Sequence, residues 1–119
     1  MKNIYIAGKI TGLSDEQIKA NFRIAKLQCI SMGFLPVCPL ELEHNHEKTW
    51  SAYMKEDMAA MLQCDLVYAQ SNWASSKGAT IEINTALSIG MRVIHQKHFK
   101  KYEKNPANNP GIQSANVSA

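Results

Sequence analysis

The run Ile4, Tyr5, Ile6, Ala7 is continuously apolar, whereas farther on the apolar positions Ile18, Phe22, Ala25, Cys29 and Met32 fall three and four residues apart. The unbroken run predicts a parallel strand covered on both faces, and the second spacing predicts an amphipathic helix. Ser14 followed by Asp15, Glu16 and Gln17 has the form of a capping box, and Gly33 is placed to end the helix. A helix over 15–32 follows, with Ile24, Leu27 and Ile30 expected to widen its buried face. Phe34–Cys38 is a second apolar run, but Pro36 inside it has no N–H for a ladder and confines it to a sheet edge.

A polar stretch then leads to Thr49, a second N-cap candidate, after which Trp50, Tyr53, Met54, Met58, Met61 and Leu62 form the stripe of a helix ending near Gln63. Leu66, Val67, Tyr68 and Ala69 repeat the buried-strand pattern. Ser71, Asn72, Ser75 and Ser76 break it, and a third helical pattern runs from about Ala79 to a stop at Gly90, with Arg92–His95 as a last strand. Strands alternating with helices predict an α/β three-layer sandwich around a parallel sheet with right-handed crossovers. With the Pro36 strand at an edge, the simplest order is 2-1-3-4. Such a sheet reverses between its first and third strands, and ligands bind outside the carboxyl ends at that reversal. This topology brings the loop of Gly8, Lys9, Ile10, Thr11 and Gly12 beside Ser76, Gly78 and Glu82.

Composition narrows the picture only where it excludes something. A chain of 119 residues with 45% apolar content supports one core. The domain is expected over 1–104, and the tail 105–119, made largely of Asn, Pro, Ser, Ala and Gly, is expected to be flexible. The formal net charge is +3 and the looser cluster Lys97, Lys100, Lys101, Lys104 reads as a solvated helix end, so a nucleic-acid surface is disfavoured. No apolar stretch suits a signal peptide or a membrane span, and a cytoplasmic protein is expected. Cys29, Cys38 and Cys64 have no paired spacing and read as reduced, packed thiols. Cys38 with His44 and His46 matches no common zinc spacing; the preferred reading is a polar loop whose histidines face solvent, with no metal and no cofactor.

Two carboxylates stand out. Glu82 falls in or near the first turn of the third helix, where the helix dipole favours its ionised form and the amides of residues 77–80 are available to an anion. Asp57 shares a helix side with Trp50, Tyr53 and Met54, an environment that raises a carboxyl pKa and suits a general acid; an exposed Asp at the margin of the stripe is the alternative. Gly8 and Gly12 permit either an ordinary tight turn or a close backbone approach to a ligand, with Lys9 and Thr11 supplying a cation and a hydroxyl. His95 ends its strand, where ligand and solvent are both within reach.

Taken together, YIAGKITG, WSAYMKEDMAAMLQCDLVYAQ and SSKGATIE with its Gly-x-x-x-Glu spacing resemble the nucleoside 2-deoxyribosyltransferase superfamily over about residues 3–95. The likeness is to its small, functionally unassigned bacterial and phage branch, similar in layout to the deoxynucleoside 5'-monophosphate N-glycosidases. The resemblance implies cleavage or exchange of an N-glycosidic bond, with Glu82 as nucleophile and Asp57 orienting the ligand and managing a proton. It implies that Ser76 and the loop from Gly8 to Gly12 contact a phosphate, and that Tyr5 lies near the sugar. It also implies a homodimer or larger assembly. Serines and Lys77 stand where transferases carry acidic residues, which favours a phosphorylated ligand over a free nucleoside. Trp73 is the aromatic expected to cover a base, whereas Trp50, Tyr53 and Met54 are read chiefly as packing residues. The rivals are a nucleotide-binding protein without turnover and an oligomeric structural protein whose loops form an interface.

Overall fold

A computed structural model describes residues 1–44 and 47–98. The strands are β1 (Asn3–Ala7), β2 (Leu35–Val37), β3 (Leu66–Ala69) and β4 (Arg92–His95), and the helices are α1 (Asp15–Ser31), α2 (Trp50–Leu62) and α3 (Lys77–Ser88). The sheet is four-stranded, in the order β2-β1-β3-β4, and every pairing is parallel. Pro36 lies on an edge strand, as its missing donor requires. The predicted tail, Lys100, Lys101 and Lys104 of the predicted helix end, and His46 lie outside the described residues.

Because side chains alternate along a strand, β1 feeds two cores. Ile4 and Ile6 pack with Ile18, Phe22, Ala25 and Cys29 of α1, along with Cys38, Leu66 and Tyr68. Tyr5 and Ala7 point to the opposite face and pack with Met61 of α2, with Val67 and Ala69, and with Ala79, Ile83 and Ala86 of α3. The molecule is therefore a three-layer α/β sandwich. Full burial of one side chain such as Phe22 is worth roughly 1.5–3 kcal/mol, so these two clusters hold the helices to the sheet.

The caps appear where the sequence places them. Ser14 and Gln17 form a reciprocal capping box on α1, Thr49 caps α2 by accepting from Ala52 N–H, and Gly33 takes a left-handed φ of +87° just beyond α1. One expectation fails on α1. Ile24, Leu27 and Ile30 are 47%, 53% and 54% exposed rather than buried. The sheet is covered by the narrower stripe Ile18, Phe22, Ala25 and Cys29, and among the described residues no helix packs closely on the outer side of α1 to use the rest.

Candidate functional site

A cleft of about 870 Å³ opens at the carboxyl edge of the sheet. It is bounded by the β1–α1 loop, a short 3-10 turn after β2 (Pro39–Glu41), one face of α2 and the first turns of α3. This is the point at which the strand order reverses, between β1 and β3.

Glu82 forms part of the cleft wall and is only 4% exposed. Its Oε2 accepts a 2.7 Å hydrogen bond from the hydroxyl of Tyr5, which projects from the middle of β1 onto the α3 side of the sheet. Burial pushes the Glu82 carboxyl up to about 7; the Tyr5 hydrogen bond opposes the rise and the nearby Asp57 charge adds to it. Burial, together with the charges of Glu82 and Asp57, pushes the Tyr5 phenol well above its ordinary range, so it remains a hydroxyl that donates. The helix dipole, expected to favour the ionised form of Glu82, is outweighed by burial. Since α3 begins at Lys77, Glu82 sits beyond the first turn, where the dipole's influence has fallen away and desolvation dominates.

Asp57 projects from α2 into the same cleft and is 8% exposed. Its Oδ1 lies 3.2 Å from Nε2 of His44. The ring of His44 packs edge-on against Tyr53, with centroids 4.9 Å apart. Asp57 is thus no exposed margin residue, and His44 turns inward rather than facing solvent. His44 is the residue that sequence reasoning placed wrongly, although a usable signal exists: its segment follows the carboxyl end of β2, and loops leaving that end of a parallel sheet border the ligand edge.

The two loops at the reversal are fastened to each other, because Lys9 N–H donates to Asn72 Oδ1 at 3.0 Å. Gly8, Lys9, Ile10 and Thr11 line the cleft from one side, and Ser76 and Gly78 from the other. Gly8 has no room for a side chain, since a Cβ there would collide with the buried carboxamide of Gln70. Ser76 is the N-cap of α3, its Oγ accepting from Ala79 N–H at 3.1 Å. The Lys77 ammonium lies 4.5 Å from the Trp50 ring centroid, and both residues border the cleft.

Gly12 and Trp73 are not among the cleft residues. Gly12 shapes the loop instead, with a φ of +91° that a side-chain-bearing residue adopts only under strain. Trp73 packs with the α3-side core, its ring 6.0 Å from that of His95. Trp50, Tyr53 and Met54, read from sequence chiefly as packing residues, are among the large side chains that border the cleft. Cys38 is buried in the α1-side core, and no group of three or more His, Cys, Asp or Glu side chains suited to a metal ion occurs among the described residues. No described helix is long and apolar enough to cross a membrane.

Fold and site together define a parallel α/β domain with two carboxyl groups in a cleft at its switch point. The profile of the family described as Domain of unknown function (DUF4406) matches residues 2–95, and the chain belongs to that family. Among curated proteins no match is found.

Proposed function

We propose that this domain cleaves or exchanges the N-glycosidic bond of a nucleotide or nucleoside, in the manner of the nucleoside 2-deoxyribosyltransferase-like proteins its motifs resemble. The observation that carries the reading is the buried carboxyl of Glu82 in a cleft, held by the Tyr5 hydroxyl at 2.7 Å, with Asp57 on the same cleft wall system. A carboxyl fixed in this way suits attack on an anomeric carbon.

In the proposed reaction an oxygen of ionised Glu82 bonds to the anomeric carbon as the bond to the base breaks. The bonding pair leaves with the base nitrogen and is neutralised by a proton on Asp57, so the reacting form of the cleft is the one in which the proton shared by the two acids sits on Asp57 and not on Glu82. Water or a second base then attacks the glycosyl ester, returns a proton to Asp57 and releases Glu82 as carboxylate. Two cations border the cleft beside the acids, which favours a phosphorylated ligand: Lys9 lies in the β1–α1 loop, and Lys77 is the first residue of α3, about one and a half turns before Glu82. Ser76 Oγ, while accepting from Ala79 N–H, retains its own O–H for a phosphate oxygen. Binding energy from that end would orient the distant sugar.

A binding protein without turnover is the second reading. The raised Glu82 carboxyl is the observation that bears on it, since the fraction of Glu82 that keeps its proton near neutrality is no nucleophile. Incubation with a panel of nucleosides and their monophosphates, followed by chromatography for free base, separates the two. Catalysis predicts base release that Glu82→Gln reduces to background while ligand affinity persists. Affinity in the unaltered protein with no release of base from any member of the panel establishes the binder instead.

A further inference from the structure

We infer that His44 is a positioning residue for Asp57, acting on the proposed reaction through that carboxyl rather than by contact with the bond that breaks. The inference rests on the glycosidic reading of the cleft and adds a residue to it. Two carboxyl groups sharing a small cleft need different partners if they are to do different work. The structure supplies them separately: Glu82 accepts from Tyr5, and Asp57 is paired with His44.

The support for His44 is local and built into α2. Tyr53 precedes Asp57 by four residues, so both project from the same side of the helix. The imidazole lies across both, edge-on to the Tyr53 ring with Nε2 at Asp57 Oδ1. His44 and Asp57 are largely buried, with side-chain exposures of 14% and 11%, so the pair is shielded from competing water. An aromatic ring on one side and a hydrogen bond on the other leave the imidazole little freedom. Its constraint is passed to the carboxyl, whose plane is thereby fixed. Proton transfer demands such alignment within hydrogen-bond reach.

The test uses whichever nucleotide or nucleoside the unaltered protein cleaves, with kcat and KM measured for His44→Ala, His44→Gln, Asp57→Asn and the double variant His44→Ala/Asp57→Asn. Thermal melts confirm that each variant is folded. The expected result is a kcat lower on the order of tenfold to a hundredfold in His44→Ala, with KM within about twofold. In His44→Gln, whose amide can either donate to or accept from the carboxyl, the loss is partly restored. In the Asp57→Asn background, removal of His44 costs nothing further, because the group it positions is gone. An unchanged kcat overturns the inference, as does a loss confined to KM, which would make His44 a ligand contact. Additive losses in the double variant also overturn it. Absence of base release by the unaltered protein overturns the glycosidic reading and this role with it. Release that is insensitive to His44 overturns this role alone.

Discussion

At the scale of single residues, Glu82 shows how a legible position can conceal an unexpected state. Its place in Gly-x-x-x-Glu, from Gly78 to Glu82, is plain in the sequence, whereas its ionisation depends on how many other groups exclude water from it. Sequence cannot count those groups. The folded carboxyl titrates near 7, above its ordinary value of 4.5, so the folded state binds a proton that the unfolded chain has already lost between those values. The contribution of Glu82 to stability is therefore full below about 4.5 and is lost as pH rises through about 7, a decline of up to about 3 kcal/mol if the whole difference is expressed. Denaturant titrations of the unaltered protein and Glu82→Gln, taken between pH 4.5 and 8, are expected to diverge by that decline, with the variant lacking it. Tyr5 stabilises the ionised form, so Tyr5→Phe is expected to move the acid limb of the kcat/KM profile upward from about 7. A limb that stays in place would assign it to another group. His44 was illegible for a different reason: the composition of a polar loop does not say which way the loop faces.

At the scale of elements, capping chemistry was readable because it is local: Ser14 with Gln17 and Thr49 act through bonds to residues three positions away. Packing was less so. The α1 face that meets the sheet is set by the partners available, and Ile24, Leu27 and Ile30 had none that sequence could reveal. The β1–α1 loop is the element on which the cleft depends most closely, because Gly8 lies against the Gln70 carboxamide, which is 1% exposed and whose Nε2 has no hydrogen-bond partner among the described residues. Gly8→Ala is expected to force that carboxamide or the loop aside, destabilising the fold by about 1–3 kcal/mol and weakening ligand binding. Shortening the obstructing side chain in Gly8→Ala/Gln70→Ala is expected to recover part of both losses. Thermal melts and nucleotide titrations of the single and double variants check this, and a double variant no better than Gly8→Ala would place the strain elsewhere.

At the scale of the whole molecule, one proline carried much of the topology. Leu35 N–H donates to the Lys2 carbonyl across the β1–β2 pairing, and alternation along the strand turns the nitrogen of Pro36 outward, to the open side of the sheet. A donor is thus missing where another strand would need it, which both fixes β2 at the edge and discourages edge-to-edge association. Pro36→Val is expected to leave unfolding free energy within about 0.5 kcal/mol and to increase concentration-dependent association in light scattering. Unchanged scattering would show that the edge is guarded by other means. The strand order followed from this residue and the alternation of elements. The depth of the cleft did not, because it depends on how α2 and α3 approach each other.

That approach turns on Gly78, where a Cβ would lie 3.1 Å from Met54 Sδ and 3.9 Å from Trp50 Nε1. Asp57 rides on one of these helices and Glu82 on the other, so the spacing of the acids is gauged by a hydrogen atom where other residues have a methyl. A bulkier residue would act as a shim, prising the two supports apart without touching either acid. If the cleft carries the glycosidic chemistry proposed for it, where the gap between paired acids separates inversion from retention, its stereochemistry would answer to a site that makes and breaks no bond.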